Sequence, residues 1–226
     1  MSSNELRFRF AIFDFDGTLA DSAEWFAQTL NAGAERFGYR AVSDDELQTL
    51  RGLGNREIIR RLGVPAWRMP AIARHFRSEA SRSIHHIRMF PGASEMLARL
   101  RSHGVGIAIL SSNSQANIRT VLGPEATSWI ADFACGSSLF GKATKLRRLL
   151  RANGVPAAEA IAIGDDTRDI EAARNAGVAA AAVTWGYATR AALAARAPDL
   201  IFDDFSDLLR VFGSAPSRAA GPTPTI

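Results

Sequence analysis

The chain has a single cysteine and almost no lysine. Cys135 cannot close an internal disulfide, and with no second thiol in the chain it does not suggest a zinc site. It stands in the run DFACGSS, which reads as a small packing position rather than a nucleophile. Of the 27 basic residues, only Lys142 and Lys145 are lysines, and the arginines are scattered at helix-like spacings among Glu and Ala. Such dispersal, with a net charge of +4, describes solvated faces and some attraction for small anions, so no nucleic-acid partner is expected. Long apolar runs are missing too. A segment such as Ala179 to Trp185 falls far short of the roughly 20 residues a membrane span requires, and no membrane partner is expected. The opening MSSNELRFRF lacks a signal-peptide core, which makes the cytoplasm the default expectation. There is no internal repeat. What remains is an ordinary globular composition, 47% hydrophobic and 22% charged over 226 residues, sufficient for a core domain carrying an insertion.

Five β-type runs recur along the chain: Phe8 to Phe15, Val105 to Ser111, Phe133 to Cys135, Ala160 to Gly164 and Ala179 to Thr184, with a weaker sixth at Leu200 to Asp203. Helical patterns such as Ala93 to Arg101, Lys142 to Ala152 and Arg168 to Ala176 lie between them. Strand alternating with helix predicts a doubly wound parallel sheet, a Rossmann-like α/β core. The first strand breaks the rhythm, because the next follows only some 90 residues later. That interval reads as helix throughout: Ser22 to Phe37, Asp44 to Leu50, Asn55 to Leu62 and Pro70 to about Ile87. The expected organisation is a core of residues 1–20 and 90–212, an inserted all-helical cap of residues 21–89, and a disordered tail of residues 213–226, which is small, Pro-rich and aperiodic.

In an open parallel sheet, ligands bind beyond the carboxyl ends of the strands. The first strand delivers Asp14 and Asp16 there, on a turn opened by Gly17. Side chains two apart on a strand share a face, so two like charges are held close, a repulsion of roughly 4 kcal/mol at about 4 Å and an effective dielectric near 20. An isolated DxDG can be no more than a turn. Here, however, the second long strand ends in Ser111, Ser112 and Asn113, the fourth in Asp165, Asp166 and Asp169, and Lys142 opens the helix between. Together these groups form a set suited to holding phosphate and a metal ion.

DFDGTL at Asp14, the strand-ending Ser111, Lys142 in FGKATKL and GDDTRD at Asp165 to Asp169 occur in the order found in the haloacid dehalogenase superfamily, which the chain resembles from Phe10 to about Phe212. The resemblance is closest to phosphoglycolate phosphatase-like members. It implies a Mg²⁺-dependent phosphatase. Asp14 attacks phosphorus to form an aspartyl-phosphate, and Asp16 protonates the leaving group and then activates water. Ser111, with the main-chain amides at Ser112 and Asn113, holds the phosphoryl oxygens at a helix start, and Lys142 offsets their charge. The implied metal ligands are Asp14, the main-chain carbonyl of Asp16, and Asp165. Asp169 supports the site, while Asp166 suits a helix cap. Lys145, three residues after Lys142, is the rival lysine.

The implied partner is a small phosphorylated metabolite selected by the cap, where Arg51 and Arg56 are candidates for a second anionic group. Carbon–phosphorus cleavage through an imine needs a cap lysine, and none precedes Lys142. Dehalogenases lack the second carboxylate, which is present here as Asp16. Sugar-phosphate mutases of the superfamily remain an alternative, although Phe26 stands where they place a hinge histidine. A non-catalytic binder of phosphorylated ligands is the other. His85-His86 reads as surface, and Trp25, Trp67, Trp129 and Trp185 as packing residues. The sequence leaves the natural substrate and the oligomeric state open.

Overall fold

A computed structural model describes residues 8–53, 55–136 and 141–212, and of Asn55 and Arg56 only the backbone. The expected tail, Gly54, Phe140 and the side chain of Arg56 therefore lie outside the described residues. In chain order the elements are β1 (Phe10–Phe13), β2 (Ala20–Asp21), α1 (Ala23–Phe37), α2 (Asp44–Leu50), α3 (Asn55–Arg61), α4 (Met69–Ser83), β3 (Arg88–Met89), α5 (Ala93–Ser102) and β4 (Gly106–Leu110). There follow α6 (Gln115–Ser128, broken at Gly123-Pro124), β5 (Asp132–Ala134), α7 (Lys142–Ala152), β6 (Ala160–Gly164), α8 (Thr167–Ala176), β7 (Ala179–Val183), α9 (Arg190–Ala194), β8 (Leu200–Phe202) and α10 (Phe205–Phe212).

Six strands form one sheet in the order β5-β4-β1-β6-β7-β8, every pairing parallel. Chain direction across the sheet reverses at β1, so a crevice opens between the carboxyl ends of β1 and β6. The register sets Phe13 opposite both Ile109 and Ile163, which brings the residues following these three strands to one level.

Strand periodicity explains why both faces are apolar. Ala11, Phe13, Ile107, Ile109, Ile161 and Ile163 face one way and pack with Leu97 and Leu100 of α5, Ile118 of α6 and Phe212 of α10. Phe10, Ile12, Ala108, Leu110, Ala160 and Ala162 face the other way, against Leu146 and Leu149 of α7 and Ile170 of α8. Each Leu, Ile or Phe among them contributes roughly 1.5–3 kcal/mol when taken from water, and each Ala less. Strands covered on both sides cannot alternate apolar with polar residues, hence the continuous runs in the sequence.

The inserted helices close on a cluster of their own: Leu30, Ala34, Tyr39, Val42, Leu50, Leu62 and Ile72. Asn31 ties this unit across a loop by donating to the Val42 carbonyl at 2.8 Å and accepting from its N–H at 2.9 Å. Ser43 and Glu46 form a capping box at the start of α2. Sequence periodicity gave no sign of the antiparallel ribbon of β2 and β3, pairing Ala20 with Met89 and Asp21 with Arg88, where the chain leaves and rejoins the core. Two residues per strand are too few to display a period. Trp67 is a correction, since it is 75% exposed with the Arg68 guanidinium over its ring, whereas Trp25, Trp129 and Trp185 do pack against the core. His85 and His86 are exposed. No described helix is long and apolar enough to cross a membrane.

Candidate active site

Asp14 continues the sheet by one residue, its N–H donating to the Ile163 carbonyl at 2.8 Å. One oxygen of its carboxylate accepts from the Phe15 N–H and the other from Lys142 Nζ, at 2.8 and 2.7 Å. Gly17, at φ +77°, then turns the chain. A Cβ there would also lie 2.3 Å from Asp165 Oδ2, so the position needs glycine for space as well as conformation.

Asp165, directly after β6, is 1% exposed and held at both oxygens, Oδ1 accepting from Thr18 Oγ1 and Oδ2 from the Tyr187 N–H, each at 2.8 Å. Burial, then the charges of Asp14 and Asp169, push its carboxyl well above the usual range. Asp169 lies on the first turn of α8, where it completes a capping box with Asp166 and accepts from Lys142 Nζ. Burial raises its carboxyl to about 6 even so, because Lys142 is shared with Asp14 and more than one negative charge faces one ammonium. Lys142 itself is held protonated by those two carboxylates despite its burial.

Oxygens of Asp14, Asp165 and Asp169 all lie within 4.8 Å of one another. With Asp16 they make four acids against the single ammonium of Lys142, and Arg168 is paired with Asp166 at 2.8 Å. Hard oxygen donors, an excess of negative charge and glycines that let the chain close around Asp165 fit a small divalent cation.

Asp16 points elsewhere. Its two oxygens accept from Asn113 Nδ2 at 3.4 and 3.3 Å, and burial, then the Asp14 charge, raise its carboxyl to about 6. Ser111, buried at the end of β4, accepts from the Asn113 N–H at 3.0 Å. Ser112 is exposed on the same loop. Lys145 is directed away, to the Cys135 carbonyl at 3.1 Å. Cys135 is half-buried with its thiol pushed up to about 11, mainly by burial, which suits packing and not attack.

Arg51 lies against the loop after β7. Its Nε and Nη2 donate to the carbonyls of Tyr187 and Gly186, both at 2.9 Å, and Nη1 donates to Gln48 Oε1. Asp166 caps α8, accepting from the Arg168 N–H at 2.9 Å.

Sequence reasoning missed four contributors. Thr18, inside the DFDGTL run, fixes Asp165. Tyr187 donates its N–H to Asp165, pairs its hydroxyl with Ser22 Oγ at 2.7 Å and packs on Phe26. Gly186 leaves room for Asp165 and the Gly17 carbonyl. Asn117 supports Asn113. For Gly186 and Tyr187 no local signal existed, because their role arises from β7 lying beside β6.

A family model described as haloacid dehalogenase-like hydrolase matches residues 11–183. A curated phosphoglycolate phosphatase from Synechococcus elongatus is 36% identical over 200 residues, covering 88% of this chain and 94% of that protein. Another from Agrobacterium fabrum is 30% identical over 212 residues, covering 88% and 89%. A solved haloacid dehalogenase-like hydrolase from Bacteroides fragilis is 25% identical with a TM-score of 0.76, covering 89% of this chain and 99% of that one. A haloacid dehalogenase-like family hydrolase from Streptococcus pneumoniae has the same TM-score at 21% identity, covering 91% and 99%, a likeness of fold. The sheet order, the acids at its switch point and these relatives agree: the chain belongs to the haloacid dehalogenase-like hydrolase family.

Proposed function

We propose that the protein is a Mg²⁺-dependent phosphatase that hydrolyses a small phosphate monoester through phosphorylated Asp14. Phosphoglycolate, named in the relatives, is the first substrate to test. The observation that carries this reading is the convergence of Asp14, Asp165, Asp169 and Lys142 from three separate segments of the chain into one cluster.

Phosphoryl transfer asks for positioning and charge neutralisation more than for new covalent chemistry. Asp14 has one oxygen engaged by the Phe15 N–H and the other by Lys142, so its attacking oxygen is fixed in direction. Lys142 offsets charge on Asp14 and on the incoming phosphoryl group. Ser111 Oγ already accepts the Asn113 N–H, which leaves its own hydrogen to donate to a phosphoryl oxygen. Asp16, raised to about 6, can hold a proton near neutrality for the leaving alkoxide and afterwards take one from water. Asp14, Asp165 and the Asp16 carbonyl would hold Mg²⁺, with Asp169 supporting them, and the ion would supply charge neutralisation at the phosphoryl oxygens.

In this reading residues 21–89 act as a cap over a core of residues 1–20 and 90–212. Support comes from their separate apolar cluster and from the two-stranded ribbon at their ends. Arg51 clasps the cap to the core loop, which leaves Arg56 as the cap candidate for a second anionic group. Phe26 favours hydrolysis over mutase chemistry, because its ring packs on Tyr187 and Phe76 with centroids 5.4 and 5.5 Å away and offers no titratable group.

The test is release of inorganic phosphate from phosphoglycolate and p-nitrophenyl phosphate, with Mg²⁺ and with chelator, beside an Asp14→Asn control. Chelator-sensitive release that is absent in the control is expected. No release above the control favours a binding protein, and phosphate migration faster than release by phosphorus NMR favours a mutase.

A further inference from the structure

Asn113 and Asn117 are both buried, and the hydrogen bonds of their side chains leave no choice of amide orientation. Asn113 Oδ1 accepts twice, from the Ser114 N–H and from Asn117 Nδ2, each at 2.9 Å. Its Nδ2 must therefore face the other way, where it meets both oxygens of Asp16. Asn117 Nδ2 uses its second hydrogen on Ser81 Oγ at 3.2 Å, and Ser81 in turn donates to the Arg77 carbonyl at 3.1 Å, both residues on α4 of the helical insertion. The Asn117 N–H donates to Ser114 Oγ at 3.1 Å, so its backbone is tied to the N-cap of α6. A continuous line of side chains thus runs from the insertion through two buried amides to the acid.

We propose that Asn113 and Asn117 are positioning residues that aim the Asp16 carboxylate at the leaving group, with α4 supporting the far end of the line. The proposal rests on the phosphatase reading above and adds to it the element that orients the proton donor. Asp16 follows strand β1 on a turning loop, and the Asn113 amide is the polar side chain that spans both its oxygens. Donation from the one Nδ2 atom to both oxygens limits how far the carboxylate can swing from its direction. Burying an amide costs free energy that hydrogen bonds offset, and here the bonds made by Asn117 Nδ2 and by both polar atoms of Asn113 run toward Asp16.

Leaving-group dependence separates aiming from mere support. A nitrophenolate departs without a proton, whereas the alkoxide of an alkyl phosphate needs one as it leaves. Asn113→Ala and Asn117→Ala are compared with the unaltered protein in single-turnover release of the leaving group, from p-nitrophenyl phosphate and from an alkyl phosphate monoester. Melting temperatures are recorded alongside. Misaiming the acid should slow alkyl release about 10- to 100-fold while nitrophenolate release changes by less than about 3-fold. Asn117→Ala leaves every atom touching Asp16 in place and should give the same selectivity at smaller size, which keeps the test available if Asn113→Ala does not fold. Parallel loss on both substrates, or no loss, overturns the positioning role and leaves the phosphatase reading intact. An unaltered protein that releases neither leaving group overturns both.

Discussion

Replacing Gly186 by alanine tests whether the site is assembled by close contact of three separate segments. A Cβ at this position would lie 2.2 Å from Asp165 Cβ, 2.5 Å from Asp165 Oδ2 and 2.4 Å from the Gly17 carbonyl oxygen. Ordinary contacts between such atoms begin near 3.5 Å, so about 1 Å must be found. Neither neighbour yields cheaply. Asp165 is pinned at both oxygens, and Gly17 belongs to a turn closed by its own N–H to the Ala20 carbonyl at 2.9 Å. Overpacking of this kind costs about 1–3 kcal/mol, and for a chain of this size each kcal/mol lowers Tm by roughly 2–4 °C. A displacement of about 1 Å at a reacting centre can cost on the order of 100-fold in rate. Gly186→Ala should therefore lower Tm by several degrees, weaken Mg²⁺ binding measured by calorimetry and cut kcat/KM about 10- to 100-fold. Gly154→Ala is the control, since its Cβ would meet nothing within 4 Å and only its φ of +63° is unfavourable. That variant should lose stability and keep both Mg²⁺ affinity and rate. A Gly186→Ala protein with unaltered Tm, Mg²⁺ affinity and kcat/KM refutes the reasoning.

Lys142→Met removes the ammonium shared by Asp14 and Asp169 and should lower kcat by roughly 10²–10³ with phosphate monoesters, whereas Lys145→Met should change it little. Comparable losses in both variants would mean that the wrong lysine has been placed in the site. The carboxyls of Asp16 and Asp169 are raised to about 6 in the metal-free protein. A folded carboxyl that binds its proton more tightly than the unfolded one contributes stability that is complete below about 3.9 and lost as pH rises through 6. Asp165, held well above the usual carboxyl range, and Asp169 belong to the cluster that would hold the metal, and their protons compete with it, so the rise in Tm produced by millimolar Mg²⁺ should be larger at pH 7.5 than at pH 5. A rise that is independent of pH would count against these acids as the metal site.

Much of the core was legible because both sheet faces are covered, which makes each strand a continuous apolar run, and because Asp14, Ser111 and Asp165 end such runs. Lys142 was readable as the residue opening the helix after the third strand, and the structure separates it from Lys145 by the direction each side chain takes. The helices of the insertion followed from their period and caps. What could not be read depends on tertiary contact. Ser22 looks like the N-cap of α1, yet it makes no capping bond and pairs with Tyr187 instead. Arg51 resembled a free cap cation and turned out to grip two main-chain carbonyls across the interface between insertion and core. Asn113 was read through its main-chain amide, while the contact to Asp16 is made by its side chain, whose orientation is fixed only by Asn117 and Ser114. The contacts of Ser22, of Arg51 and of Asn113 to Asp16 are all made with partners distant in sequence.

The most direct test of the central claim is to quench the enzyme during turnover of a labelled monoester and locate the label by mass spectrometry of acid-stabilised peptides. Phosphate should be found on the peptide carrying Asp14, at that residue, and should disappear in Asp14→Asn. Turnover with no label on Asp14, or with label on another residue, would contradict the account.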